Sequence, residues 1–252
     1  MLRDRNRVRG AVLRVIDRSL ARRATAEAVG SAFLVAIVVG SGIHAQRLSP
    51  NDIGLQLLEN STATGAGLVA LILAFGPVSG AHFNPVVTMA DWLLGGITGV
   101  AGAVYVVAQV VGCCLGAVVA NLMFELDAVN LSTHTRASHG LWIGEFVATL
   151  GLILVIFGIV RSGRASVAPF AVGGYIAAAY WFTSSTSFAN PAVTIARMLS
   201  NTFAGIRPSS VPPFVAVQIV AALCAVALAK YLHPDVDAVD VVVPHEHSHS
   251  NR

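Results

Sequence analysis

Apolar runs separated by short polar breaks fill the chain from residue 24 to residue 232. The first run is Ala24–Ala45 and the second Thr62–Gly76; a segment broken by Gly, His and Asn, Val78–Ile97, follows, and Val100–Phe124 is the third run. Beyond the polar stretch Glu125–His139 come Leu141–Val160 and Val167–Phe182, a second broken segment, Ser184–Phe203, and finally Pro212–Leu232. Roughly 20 apolar residues cross a bilayer as a helix, so the pattern predicts six full crossings and two short interrupted helices.

Composition sharpens this. The 252 residues are 55% hydrophobic and 12% charged, with mean hydropathy +0.72, whereas soluble domains carry about a quarter charged residues. Eight of the 16 Lys and Arg lie in residues 1–23, and seven basic and seven acidic residues are spread over 24–232. We expect a basic arm over 1–23, one membrane domain over 24–232 and a His- and Asp-rich tail over 233–252. Val8, Val12, Ile16 and Leu20 recur every fourth residue among the arginines, which fits either an amphipathic helix on anionic lipid or a disordered basic arm. The charge adjoins a membrane span, so nothing points to nucleic acid. The arm is too long and polar for a cleaved signal. Cys113, Cys114 and Cys224 sit inside apolar runs as packing residues, and no metal spacing or cofactor motif is present; the tail histidines are expected to be solubilising. Positive-inside bias places the arginine-rich N-terminus and the Arg161–Arg164 turn in the cytoplasm, with the C-terminus on the same side.

Three landmarks recur in order in the two halves. Glu27 matches Glu145 (145 − 27 = 118), Asn84-Pro85 in SGAHFNPVVTMA matches Asn190-Pro191 in TSFANPAVTIAR (190 − 84 = 106), and Gln109 matches Gln218 (218 − 109 = 109). Two units, about 24–124 and 140–232, share one plan. Each holds three crossings, so the second enters the membrane inverted, and sites in inverted repeats collect where interrupted helices meet near the midplane. Asn is a preferred N-cap and Pro a favoured first helical residue, so each box starts a half helix deep in the membrane with its positive dipole end inward. The Asn84 and Asn190 amides are expected to face a shared path as donors that suit neutral solutes and repel cations. Val86 and Ala192 follow the prolines. Val86 either narrows the path or packs between the half helices.

SGAHFNPVVT, FANPAVT, the paired glutamates and the paired glutamines together resemble the major intrinsic protein family of aquaporins and aquaglyceroporins. The resemblance covers about residues 24–232. It implies an all-α membrane fold of six transmembrane helices plus two re-entrant half helices in inverted three-helix repeats, a homotetramer with one pore per protomer, and passive flow of water or small neutral solutes; a bacterial inner membrane is the expected location. It implies that Glu27 and Glu145 hold the re-entrant loops, with proton coupling as the rival role, and that His82 lies near the pore's cytoplasmic side, bonding the loop or gating it.

Most members of that family place an arginine three residues after the second asparagine; here Val193 stands there, giving a wider and more apolar constriction and a weaker barrier to protons and other cations. Arg197, one turn further on, either lines an outer vestibule or caps its half helix. By spacing, the other constriction positions are Thr64, Ser187 and a residue near Ala178, with Ala179 or Tyr180 substituting if the alignment carries a gap. This set implies a roomy lining. Valine at that position together with FANPAVTIAR resembles a bacterial branch associated with arsenic resistance, which implies passage of arsenite or methylated arsenicals alongside glycerol-like polyols. A strict water channel is the alternative. An ion-coupled transporter would need a midplane carboxylate, and Asp91 is expected to meet water instead. No catalytic motif is present.

Overall fold

The computed structural model describes the backbone of residues 2–232 and side chains from residue 19 onward. Eight helices follow in order: α1 (Leu2–Leu48), α2 (Ile53–Ser79), α3 (Pro85–Leu93), α4 (Gly99–Met123), α5 (His139–Arg161), α6 (Ala168–Phe182), α7 (Pro191–Arg197) and α8 (Val211–Leu232). Six helical segments are long and apolar enough to cross a membrane: Ser19–Leu48, Ile53–Ser79, Gly99–Met123, His139–Arg161, Ala165–Phe182 and Pro208–Leu232. The short α3 and α7 are the two interrupted helices. The backbone is helical from Leu2 and continuous with the first span; whether the arm's apolar positions rest on lipid, and what the tail histidines do, lies outside the described residues. Among those residues no cluster of metal-ligating side chains occurs, and the three cysteines are free.

Side-chain caps set the helix starts. Asp52, Thr98 and Ser138 accept from the backbone N–H three residues on, which satisfies amides that no helical carbonyl can reach. Crossings alternate direction, so the Arg161–Arg164 turn and the end of α8 share one face, here the turn face, and the 125–138 loop lies on the other, the loop face.

Packing repeats between the halves. α1 lies along α4 as α5 lies along α8, and α2 meets α6 near the pseudo-twofold axis. Gly112 and Gly116 of α4 face the backbone of α1, where a Cβ would fall on the carbonyl oxygens of Ala28 and Ala32. This small-residue stripe therefore closes a contact within the chain itself. Backbone atoms cannot move aside as a flexible side chain can, and overpacking of this kind costs about 1–3 kcal/mol. The double substitution Gly112→Ala/Gly116→Ala is expected to lower the melting temperature of the detergent-solubilised protein clearly, while Gly158→Ala, where a Cβ meets open space, leaves it unchanged.

Candidate pore and its constriction

The two re-entrant loops are built alike. Gly80, Ala81 and Phe83 have positive φ (88°, 49° and 48°), and so do Thr186, Ser187 and Ala189 (60°, 48° and 47°), each 106 positions later. Left-handed backbone at a non-glycine residue costs on the order of 1–3 kcal/mol and persists only where surroundings hold it. A glutamate holds each loop. Glu27 accepts from the Ser79 hydroxyl (2.6 Å), the His82 and Phe83 amides (3.0 and 2.7 Å) and Gln109 Nε2 (2.8 Å). Glu145 accepts from the Phe188 amide (3.2 Å), the Ala189 amide and Gln218 Nε2 (3.0 Å). Both carboxylates are buried and filled with donors, the arrangement of a structural anchor. Each glutamine also bonds the threonine four residues past its asparagine, Gln109 to Thr88 (3.0 Å) and Gln218 to Thr194 (2.8 Å).

The asparagines cap α3 and α7 with extended backbone, φ −155° and −159°. Asn84 Oδ1 accepts from Val86 N–H, and Asn190 Oδ1 accepts from the Ala192 and Val193 amides. Their nitrogens cross over: Asn84 Nδ2 donates to Ala189 O and Asn190 Nδ2 donates to Phe83 O, both at 2.7 Å. Each amide has a second N–H, and both residues line the central cavity. The asparagines thus brace the opposite loop while facing the lumen. Pro85 and Pro191 take the first helical positions. Val86 is buried in the core while Val87 lines the cavity, so Val86 packs and does not narrow the path.

That cavity, about 90 Å³ and open to solvent, runs along the bundle from Val160 and Ala168 near the turn face to Thr64 and Arg197 toward the loop face. Its walls follow helical periodicity: Thr64, Leu68 and Ile72 of α2, Ala168, Val172, Ile176 and Tyr180 of α6, with Leu34 and Val38 of α1 matched by Leu152 and Ile156 of α5 at the glutamates' offset of 118. Ser187 and Val193 also line it. Ala178 does not. It is exposed on the outer surface of α6, because two residues turn a helix by about 200° and the lumen side of α6 carries 172, 176 and 180. Tyr180 occupies the place, its hydroxyl 3.3 Å from Thr64 Oγ1, and the lining is less roomy than a Thr, Ser, Ala and Val set.

Asp91 is fully buried, with Oδ2 3.5 Å from His82 Nε2, and does not meet water. His82 Nδ1 lies 3.0 Å from Thr88 Oγ1, and its ring packs edge-on against Tyr105 (5.4 Å), which receives a hydrogen bond from Arg23 Nε (2.7 Å). At the other end Arg197 is buried, 2% exposed. Its Nε donates to Ala204 O in the returning loop and its guanidinium lies 3.4 Å from the centroid of Phe188. The side chain turns to the cavity wall rather than capping its own helix. Arg136 reaches the same ring from the 125–138 loop at 4.9 Å, donating to Gly205 O (3.1 Å) and Ser185 O (3.3 Å). Burial holds the Arg136 guanidinium below its usual proton affinity, with the charge of Glu145 acting the other way. Sequence reasoning missed Phe188, though His82 shifted by 106 reaches it, and missed Arg136, for which the sequence holds no signal.

The profile described as Major intrinsic protein matches residues 15–189. The chain belongs to the major intrinsic protein family. It is 49% identical to Aquaglyceroporin AqpS of Rhizobium meliloti (strain 1021) over 213 residues, 84% of this chain and 91% of that protein. It is 31% identical to Probable aquaporin AqpM of Archaeoglobus fulgidus, covering 85% and 98% of the two chains. The X-ray structure of the aquaglyceroporin from Plasmodium falciparum, 19% identical, has the same fold, with TM-score 0.67 over 85% of this chain and 98% of that one. As a member of this family the protein is an integral membrane channel for water and small solutes.

Proposed function

We propose that each protomer, as one of four in a bacterial inner membrane with both termini cytoplasmic, passes water, glycerol-like polyols and uncharged metalloid hydroxides such as arsenite or methylated arsenicals down their gradients. The observation that carries this reading is the crossed asparagine pair on one continuous cavity: donors face the lumen at mid-depth, where they suit a neutral hydroxylated solute and disfavour a cation. Thr64, Tyr180, Ser187 and Val193 form the selectivity filter in this reading, with three hydroxyls to replace a solute's hydration and a valine in place of a fixed charge. The donor-filled carboxylates of Glu27 and Glu145 favour a channel over an ion-coupled transporter that would run through them.

Stopped-flow light scattering on proteoliposomes tests it. Wild type is expected to pass water, glycerol and arsenite. Val193→Arg is expected to cut glycerol and arsenite permeability about tenfold or more while sparing water, since a filter penalty of ~1.4 kcal/mol is a factor of ten. The approach of Tyr180 to Thr64 favours the second reading, a strict water channel. Wild-type liposomes that conduct water alone would establish that reading and remove the wide filter.

A further inference from the structure

The pseudo-twofold relation that carries Asn84 onto Asn190 also carries His82 onto Phe188, Val87 onto Val193 and Asp91 onto Arg197, since 188 − 82, 193 − 87 and 197 − 91 all equal 106. In each half the residue seven after the asparagine lies against the residue two before it: Asp91 on His82 at 3.5 Å, Arg197 on Phe188 at 3.4 Å. In each half a ring from the next long helix closes the arrangement edge-on, Tyr105 on His82 and Phe214 on Phe188, both at 5.4 Å. One scaffold thus carries an acid toward the turn face and a guanidinium toward the loop face.

The surroundings of Arg197 leave its charge directed at the lumen. It lines the cavity four residues beyond Val193, about 6 Å along the same face of α7. Only Nε is bonded, to Ala204 O. The two terminal nitrogens have no hydrogen-bond partner among the described residues and are not among the enclosed orphan atoms, so they border open space. No carboxylate among the described residues comes within ion-pair distance of Arg197 or Arg136, and Glu145, whose charge reaches both, is already filled by the loop amides. Removing a guanidinium from water costs several kcal/mol unless it is compensated. The Phe188 face and one carbonyl compensate in part; lumen water or a solute oxygen completes the shell. Close by, the buried Ser187 hydroxyl lacks a partner and also lines the cavity.

We propose that Arg197 is this pore's charged filter group, set one helical turn outside Val193, where it excludes cations and donates its terminal N–H groups to hydroxyl oxygens of entering solutes, with Arg136 adding a second positive charge behind Phe188. This rests on the pore reading above. It reverses the expectation that Val193 leaves the channel weak against cations: the barrier is displaced, and the width gained at residue 193 is kept.

Proteoliposomes loaded with a pH-sensitive dye, with a potassium gradient and valinomycin controls, read proton and potassium flux beside water and glycerol flux. Wild type is expected to be tight to both cations. Arg197→Met is expected to raise the ratio of cation flux to water flux about tenfold or more, the equivalent of ~1.4 kcal/mol of barrier; Arg197→Lys stays tight, and Arg136→Gln leaks less than Arg197→Met. Should Arg197→Met fail to fold, Arg197→Gln, which keeps an N–H for Ala204 O without the charge, reads the same leak. A neutral variant as tight as wild type with normal water flux overturns the proposal, as does a wild type that already leaks. Wild-type liposomes impermeable to both water and glycerol would remove the pore reading and this proposal with it, a result distinct from normal water flux with an unchanged leak.

Discussion

Glu145→Ala is expected to remove the folded channel. The Phe188 and Ala189 amides and Gln218 Nε2 would lose their shared acceptor inside a protein wall that offers no water. Each orphaned buried donor costs about 1–3 kcal/mol, so the sum is on the order of 5 kcal/mol, comparable to the whole stability of many domains. The same carboxylate keeps Ser187 and Ala189 in left-handed backbone, and without it the loop has reason to relax and take Asn190 out of register. The measurement is a thermal melt in detergent followed by water flux in proteoliposomes. Glu145→Gln, which keeps one acceptor oxygen but turns an NH2 toward the donors, should fall between alanine and wild type. A Glu145→Ala protein that melts with wild type and conducts water normally would show that the loop holds itself.

Asn84→Asp has the second largest expected effect, on selectivity rather than stability. The new carboxylate still accepts from Val86 N–H, and a negative charge at the start of α3 is favourable by roughly 0.3–2 kcal/mol. The donor to Ala189 O disappears, however, and two oxygens then face each other where one hydrogen bond had joined the loops. At mid-depth the lumen changes from offering N–H donors to offering an anion. Potassium or proton flux is expected to rise about tenfold or more while glycerol flux falls, because each ~1.4 kcal/mol taken off a barrier is a factor of ten. Water flux with full cation exclusion in Asn84→Asp would assign exclusion to the loop-face arginines alone. Combined with Arg197→Met the leak should exceed either single variant, since the two sites lie at different depths.

The two asparagine boxes, the glutamate and glutamine pairs and the six apolar runs were legible because each depends on local rules. A helix must satisfy its backbone in lipid, so a spanning segment announces itself by length. An Asn-Pro start is a cap. Inversion follows from counting three crossings. Thr64, Ser187 and Val193, counted from the asparagines, all border the cavity. Ala178 does not: a step of two residues is enough to turn the chosen side chain outward, and the i, i+4 row of Ala168, Val172, Ile176 and Tyr180 is the better guide.

The sequence by itself determined the class of fold, its inverted duplication and the residues that start the half helices, since these follow from hydrophobic length, caps and repeat spacing. Only the tertiary structure decided where the charges act. Asp91 was expected in water and is buried on His82; Arg197 had two possible roles and lies on Phe188 at the cavity wall; Arg136 arrives from a loop whose path no periodicity records. The reason is physical. Burial and pairing of a charge depend on groups brought together from distant parts of the chain, in a low dielectric where a few ångströms change the energy by several kcal/mol, and that distance is set by packing rather than by spacing along the sequence.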